Sequence, residues 1–165
     1  DSLRYQLVDN LDYKDKVFLP FNIFDSEKIL SEFKIILKKR PTLAKNLIVR
    51  NHPLKDKSKK HLDLSNSLKI IIQNQLDRLK QTKIKKNNTS FFIGQTTSTI
   101  VALEKNLNVI HICENPILDM YNSEMWENLN TNKISDSSFE YNLLRKNSFL
   151  NFTKNSKNKI LKSYE

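Results

Sequence analysis

The length, composition and charge of the chain limit the classes of protein to which it can belong. Its 165 residues, 38% of them hydrophobic, suffice for one domain with a buried core, and no apolar run approaches the roughly 20 residues of a membrane-spanning helix. The single cysteine excludes an internal disulfide and fits a cytoplasmic protein, while the net charge of +10 fits either an anionic partner or lysines that fill solvated faces.

The N-terminal part of the sequence predicts strands that alternate with helices. Residues 1–15 form a lead-in segment that lacks an initiator methionine and an apolar signal, so we expect the chain to be part of a longer protein. The apolar run 17–21 predicts a first strand. Asp25 then caps an amphipathic helix that ends before Pro41, and a second strand is predicted over 46–50.

The same alternation continues through the middle of the chain. Residues 54–61 predict an exposed basic loop, and 62–79 predict a second amphipathic helix. The next predicted elements are a third strand over 90–93, a helix over 98–105 and a fourth strand over 109–113.

Beyond Pro116 the pattern is weaker. Residues 117–129 predict a helix or a helix and loop, 135–138 a loop or helix cap, and 139–144 a short helix. The segment 145–165, rich in lysine and asparagine, predicts a basic C-terminal helix or tail.

These elements together predict one α/β domain over residues 1–165, with a Rossmann-like, doubly wound parallel sheet and flanking helices. Ligands of such sheets bind beyond the carboxyl ends of the strands. The segments that follow the predicted strands are therefore the first place to look for function.

One of these segments follows the third strand. Gly94 is the only glycine in the chain, which indicates a need for positive φ or for close approach of a ligand. Four consecutive hydroxyl residues follow Gln95, where a helix begins and its free N–H groups favour an anion. Capping alone needs one hydroxyl. The predicted phosphate-binding residues are Gly94, Gln95, Thr96, Thr97, Ser98 and Thr99.

A second such segment, His52-Pro53, follows the second strand at the same predicted edge. The proline favours an extended backbone at His52, whose imidazole could donate to a phosphate or act as a general acid as the leaving phosphate gains charge. Arg50 could reach the same anion, Glu114 could accept from a ribose or base, and Asn22 could line the cleft.

Other residues of chemical interest have simpler interpretations. His111 and Cys113 lie in an apolar strand and are predicted to be buried core residues, whereas His61 is predicted to lie on the surface. No spacing of histidine, cysteine and carboxylates predicts a metal site. The lysine runs 57–60 and 83–86 lack the interleaved aromatic residues of a base-stacking surface, so no nucleic-acid partner is predicted.

The segment 50–53 after one strand, followed by 94–99 between a strand and a helix, resembles the C-terminal half of bacterial glycosyltransferases with the two-domain GT-B fold. The likeness is greatest to enzymes that use CMP-activated sialic acid or related acidic sugars in surface polysaccharide synthesis. The resemblance implies metal-independent transfer, in which His52 contacts the phosphate and assists its departure. It also implies that Thr97, Ser98 and Thr99 bind phosphate oxygens.

The resemblance implies partners as well. They are a nucleotide-sugar donor, a glycan acceptor and an N-terminal acceptor-binding domain that carries the general base, for which we find no counterpart before Val17. Peripheral association with the inner face of the cell membrane would suit such an enzyme. Three alternatives remain open: a CDP-glycerol glycerophosphotransferase-like domain, a non-catalytic nucleotide or anion-binding module, and a nucleic-acid-binding domain suggested by charge alone.

Overall fold

The structure is a computed structural model, and it describes residues 12–55, 57–79, 88–114 and 125–146. The strands are β1 (Lys16–Phe18), β2 (Ile48–Arg50), β3 (Thr89–Ile93), β4 (Asn108–Ile112), β5 (Leu129–Ser135) and β6 (Ser138–Leu143). The α-helices are α1 (Ser26–Lys39), α2 (Lys59–Arg78) and α3 (Ser98–Glu104), and 3-10 helices span Pro41–Asn46 and Pro53–Lys55. Most of the predicted lead-in segment 1–15 and of the predicted tail 145–165 lies outside the described residues.

The first four strands form the parallel part of one six-stranded sheet, whose order is β2-β1-β3-β4-β6-β5. In the register of this sheet, Val17 on β1 lies opposite Val49 on β2 and Phe91 on β3. Strand β2 therefore lies on one side of β1, and β3 and β4 lie on the other side. This reversal of strand order creates a topological switch point at β1. The predicted α/β class and the alternation of strands and helices are confirmed.

The C-terminal third of the described chain differs from the prediction. β6 pairs antiparallel with β4 and with β5, so the sheet is mixed and the expectation of a wholly parallel sheet is wrong. The short helix predicted over 139–144 is strand β6. Its residues Phe139, Tyr141 and Leu143 alternate with polar residues and pack on one face of the sheet, so the period of two decides the structure.

Alternate residues of each parallel strand divide the core between the two faces of the sheet. On β3, Phe91 and Ile93 pack with α1 and α2, whereas Phe92 packs with α3 and the C-terminal hairpin. The larger cluster includes Phe33, whose ring meets that of Phe91 edge-on at a centroid distance of 5.5 Å. We call these the α1–α2 face and the α3 face.

Helix α1 begins and ends where the sequence predicts. The Asp25 side chain accepts a hydrogen bond from the Lys28 amide at 3.0 Å, which satisfies one of the free N–H groups of the first turn. Lys38 and Lys39 lie in the last turn, where cations interact favourably with the helix dipole. Helix α2 instead begins earlier than predicted, at Lys59, and so includes residues that the sequence assigned to a loop.

The hairpin of β5 and β6 is held to α1 by polar contacts. The buried Glu32 carboxylate accepts from the Ser135 and Ser138 hydroxyls, the latter at 2.8 Å. Arg40, directly after α1, makes a two-pronged ion pair with Glu140 on β6. These contacts fix the antiparallel hairpin against a helix that belongs to the parallel part of the fold.

Candidate functional site

A cavity of about 630 Å³ opens at the carboxyl ends of β1, β2 and β3 and continues along the α3 face beside β1. This volume lies within the range of small-molecule sites in proteins. Its walls come from two strand faces and from the loops that follow β1, β2 and β3. The lining residues are Asp12, Tyr13, Lys16, Phe18, Leu19, Pro20, Phe21, Arg50, Asn51, His52, Pro53, Phe92, Ile93, Gln95, Thr96 and Ser98.

His52 lies in this cavity with one ring nitrogen already occupied. Its Nδ1 accepts a hydrogen bond from the Leu54 amide at 3.3 Å, so the neutral ring carries its proton on Nε2. The ring also meets Phe21 edge-on at a centroid distance of 5.3 Å, and Lys55 Nζ lies 4.2 Å from the centroid of Phe21. The free Nε2–H is therefore the group that His52 can offer to a ligand.

Arg50, the last residue of β2, lines the same cavity two residues before His52. Its Cα lies opposite that of Phe18 in the sheet register, and its side chain is exposed. Within the described part of the chain, no hydrogen bond or ion pair engages its guanidinium. An uncommitted guanidinium at a cavity wall is well suited to bind a phosphate or carboxylate.

The hydroxyl run after β3 divides into residues that line the cavity and residues that do not. Thr96 and Ser98 line it together with Gln95, and the Thr96 hydroxyl accepts from the Ser98 amide at 3.2 Å. Thr97 is exposed and outside the cavity lining. Thr99 is fully buried and its hydroxyl donates to the Thr96 carbonyl at 2.7 Å, so it braces the loop from inside.

Gly94 supports this loop through its backbone conformation. Its φ of 72° lies in the left-handed region, and a Cβ atom at this position would lie 2.9 Å from Cβ of Pro20. The predicted need for positive φ is confirmed. Gly94 itself is buried and is not among the cavity-lining residues, so packing against Pro20 is the second reason for glycine here.

Two further predicted residues lie away from the cavity walls. Asn22 and Glu114 are exposed and neither lines the cavity. Asn22 belongs to the loop after β1, and Glu114 follows β4, which is one strand further from the cavity than β3. Both residues lie at the same edge of the sheet as His52, as predicted, but neither reaches the cavity that His52 lines.

The cavity also has an inner wall that the sequence analysis missed. Phe18 stacks on Phe92 with a centroid distance of 5.0 Å, and Tyr13 lies beside both rings. Burial raises the pKa of Tyr13, and its side-chain hydrogen bond with Ser98 acts in the opposite direction. The signal was the alternation along β1, because Phe18 must face away from the buried Val17.

Two charged residues that line the cavity, Lys16 and the exposed Asp12, neutralise each other. Lys16 Nζ donates to the Asp12 carboxylate at 2.7 Å and to the Asp12 carbonyl at 2.6 Å. This hydrogen bond is the main cause that lowers the pKa of Asp12 below its usual value. Asn51 also lines the cavity and was not predicted, and its buried amide oxygen has no donor within the described residues.

Two of the sequence interpretations of histidine and cysteine are confirmed, and one is wrong. His111 and Cys113 are buried, as predicted. His61 is only 4% exposed because it lies on the buried side of α2, and its ring lies between Ser58 and the Pro20 carbonyl. Among the described residues of 54–61, Leu54 and Lys55 belong to a 3-10 turn and 59–61 to the first turn of α2, so the prediction of a loop is wrong there. The predicted exposure is confirmed at Leu54, Lys57, Lys59 and Lys60.

Among the described residues, no group of three or more histidine, cysteine and carboxylate side chains could hold a metal ion. No helix in the described ranges is long and apolar enough to cross a membrane. Comparison of the chain with protein-family models, curated proteins and solved structures gives no match. The assignment of a function therefore depends on the geometry of the cavity and on the motifs that line it.

Proposed function

We propose that this chain is the donor-binding half of a GT-B-type glycosyltransferase, which transfers sialic acid or a related sugar from a CMP-activated donor to a surface glycan. The observation that carries the proposal is that His52 and Ser98, far apart in sequence, line one cavity at the carboxyl ends of parallel strands. The resemblance of 50–53 and 94–99 to the glycosyltransferase motifs supplies the nucleotide-sugar class.

The phosphate of the donor would lie between the loop of His52 and the loop of Thr96 and Ser98. Arg50 and His52 offer donors from one side, and hydroxyls offer donors from the other. Among the described residues that line the cavity, only Asp12 carries a carboxylate, and Lys16 already holds it in an ion pair. The cavity groups that have no other partner, the Arg50 guanidinium and the His52 Nε2–H, therefore favour an anion.

In the proposed reaction, an acceptor hydroxyl attacks the anomeric carbon, and the bond from this carbon to the phosphate oxygen breaks. Negative charge grows on the leaving CMP as the bond breaks, so a hydrogen bond from His52 Nε2 strengthens in the transition state. The proton of the acceptor hydroxyl must go to a base. Because Asp12 is engaged by Lys16, we assign that base to a separate acceptor-binding domain.

The same observation favours a second candidate function, a nucleotide-binding module without catalysis. A cavity with anion-binding donors and no uncommitted carboxylate among its described lining residues can hold a nucleotide without activating an acceptor. An assay of CMP-sugar hydrolysis and transfer, with and without an added acceptor domain, distinguishes the two candidates. Turnover under either condition favours the glycosyltransferase, and binding without turnover favours the module.

Calorimetric titration with CMP, CDP, UDP, ADP and inorganic phosphate at one salt concentration tests the proposal. We expect selective binding of the cytidine nucleotides, weakened about tenfold or more in His52→Ala and in Arg50→Ala through loss of a charged hydrogen bond. Glu114→Gln, exposed at the same edge but outside the cavity, serves as the matched control and keeps its affinity. Equal, salt-sensitive binding of every polyanion would instead favour a nucleic-acid or general anion-binding protein.

A further inference from the structure

Two buried histidines each hold one loop of the cavity by its backbone. His61, on α2, contacts the Pro20 carbonyl through Nε2 at 2.9 Å, and His111, on β4, contacts the Gly94 carbonyl through Nε2 at 2.7 Å. The two residues are 4% and 3% exposed. Pro20 belongs to the loop after β1 and Gly94 to the loop after β3, and these two adjacent loops both contribute residues to the cavity lining.

The hydrogen bonds fix the protonation of both rings. A carbonyl oxygen only accepts, so each Nε2 must carry a proton. At His61, Nδ1 lies 3.1 Å from the Ser58 hydroxyl, which donates to it when the ring is neutral. Ser58 precedes α2 without capping it by its side chain, so its hydroxyl is committed to the histidine. At His111, burial lowers the pKa and favours the neutral ring.

The two anchored carbonyls belong to residues that contact each other. Cβ of Pro20 packs so closely on Gly94 that a methyl group there would lie 2.9 Å away. A continuous path therefore leads from α2 through His61, Pro20, Gly94 and His111 to β4. Phe21, the next residue after Pro20, contacts His52, so the path ends beside the imidazole of the cavity.

We infer that His61 and His111 are positioning residues, which set the distance between the loop after β1 and the loop after β3 so that one ligand can contact both. Without these donors, each buried carbonyl would lack its partner, and the loop would shift to recover one. The identity of the ligand in this inference rests on the proposed nucleotide function. The placement of the loops does not rest on it.

The test uses four variants of the full chain: His61→Leu, His61→Gln, His111→Leu and His111→Gln. Leucine fills much of the space of the ring without a donor, whereas the glutamine amide can place an N–H near the position of Nε2. CMP affinity, stability towards urea and amide hydrogen exchange of 21–23 and 95–98 are measured for each variant. A milder variant, Ser58→Ala, removes only the hydroxyl that orients His61 and covers the case in which His61→Leu does not fold. If His111→Leu does not fold, loop exchange in His111→Gln is compared with that of the native chain.

We expect each leucine variant to speed amide exchange in the loop that its histidine anchors, and to weaken CMP binding, both by about tenfold. Glutamine restores both to within about threefold of the native chain because the donor returns. Ser58→Ala gives a smaller change of the same kind at 21–23. Leucine and glutamine variants that lose stability equally, with unchanged exchange in both loops, would overturn the inference.

The outcome also separates this inference from the proposed function. If the native chain does not bind CMP, the proposed function fails, but loop exchange and the imidazole nitrogen chemical shifts still test the anchoring. Shifts that place the proton of His61 or His111 on Nδ1 would contradict it, since a carbonyl cannot donate.

Discussion

The two faces of the sheet differ in how completely helices cover them. On the α1–α2 face, Val17, Phe91 and the helices close over a continuous apolar core. On the α3 face, the same strand β1 presents Lys16 and Phe18 to a cavity. One three-residue strand thus serves stability with its central residue and forms a binding wall with the residues on either side.

The cause of the difference is the length and position of the covering helices. Helices α1 and α2 have 14 and 20 residues and together span their face. Helix α3 has only 7 residues and packs on β4 and β6, so it leaves the β1 and β2 side of its face to the cavity. Because one face of the sheet is fully packed, the strands are held in place, and the partly open face can support a bound ligand.

The largest expected effect breaks the closed face. Phe33→Ala should reduce the free energy of unfolding by about 3–5 kcal/mol, because the ring is fully buried against Phe91 and leaves a cavity. Ile48→Ala, on the open face and 52% exposed, should change it by no more than about 0.5 kcal/mol. Urea denaturation checks both, and a comparable loss in the two variants would contradict the distinction between the faces.

A smaller effect is expected where the two loops of the cavity meet. Gly94→Ala should cost about 1–3 kcal/mol, because alanine disfavours a φ of 72° and its methyl group would press on Pro20. Thermal and urea denaturation measure the loss. Thr97→Ala, three residues later at an exposed position, should be close to neutral and is the control. An unchanged free energy of unfolding in Gly94→Ala would contradict the prediction and show that the loop adjusts to the added methyl group.

The sequence predicts the closed face well and the rest of the sheet less well. Asp25, the apolar spacing of α1 and the positive φ of Gly94 follow from local rules that tertiary contacts do not override. The hairpin was missed because Phe139, Tyr141 and Leu143 alternate over only six residues, which a short helical pattern can imitate. Its antiparallel pairing to β4 depends on contacts distant in sequence, such as that of Glu32 with Ser138.

The next effect depends on pH and tests the anchor of the loop after β3. Burial lowers the pKa of His111 below its ordinary value of 6.5, so at lower pH the unfolded chain binds a proton that the folded chain excludes. Stability should therefore be full above about pH 6.5 and fall below it, by at most about 1.4 kcal/mol per pH unit. The difference in unfolding free energy between the native chain and His111→Gln, measured across pH 5–8, isolates this contribution.

A pH-independent difference between these two proteins would contradict a lowered pKa at His111. Other groups that titrate in this range are common to both proteins and cancel in the difference, provided that they do not interact with His111.

The smallest expected effect concerns the hairpin rather than either face. A double-mutant cycle with Arg40→Ala and Glu140→Ala should give a coupling energy of about 0.5–1 kcal/mol. The pair has two-pronged geometry, but the Arg40 side chain is 42% exposed, so solvent weakens the attraction. Denaturation in low and high salt measures the coupling, which should decrease as salt rises. A coupling of zero in low salt would show that the hairpin is held by other contacts.

For the candidate site, the sequence predicts which residues carry the chemistry better than it predicts which side chains line the cavity. Arg50, His52, Thr96 and Ser98 line one cavity because β2 and β3 are parallel, lie on either side of β1 and end at the same edge of the sheet. Which hydroxyls of the run face the cavity depends on the direction in which α3 begins, and no local rule fixes it. The inner wall is not predicted because the apolar content of 17–21 indicates only a buried strand, whereas the alternation of side chains along β1 places Phe18 and Val17 on opposite faces.

The central claim is that the His52 loop and the hydroxyl loop bind one ligand, and two adjacent hydroxyls test it most directly. Ser98 lines the cavity and Thr97 does not, although both stand at the start of α3. Titration with CMP should show affinity reduced about tenfold in Ser98→Ala and unchanged in Thr97→Ala, with a nonadditive loss when Ser98→Ala is combined with His52→Ala. Equal affinities in the two single variants, in a native chain that binds CMP, would contradict the claim.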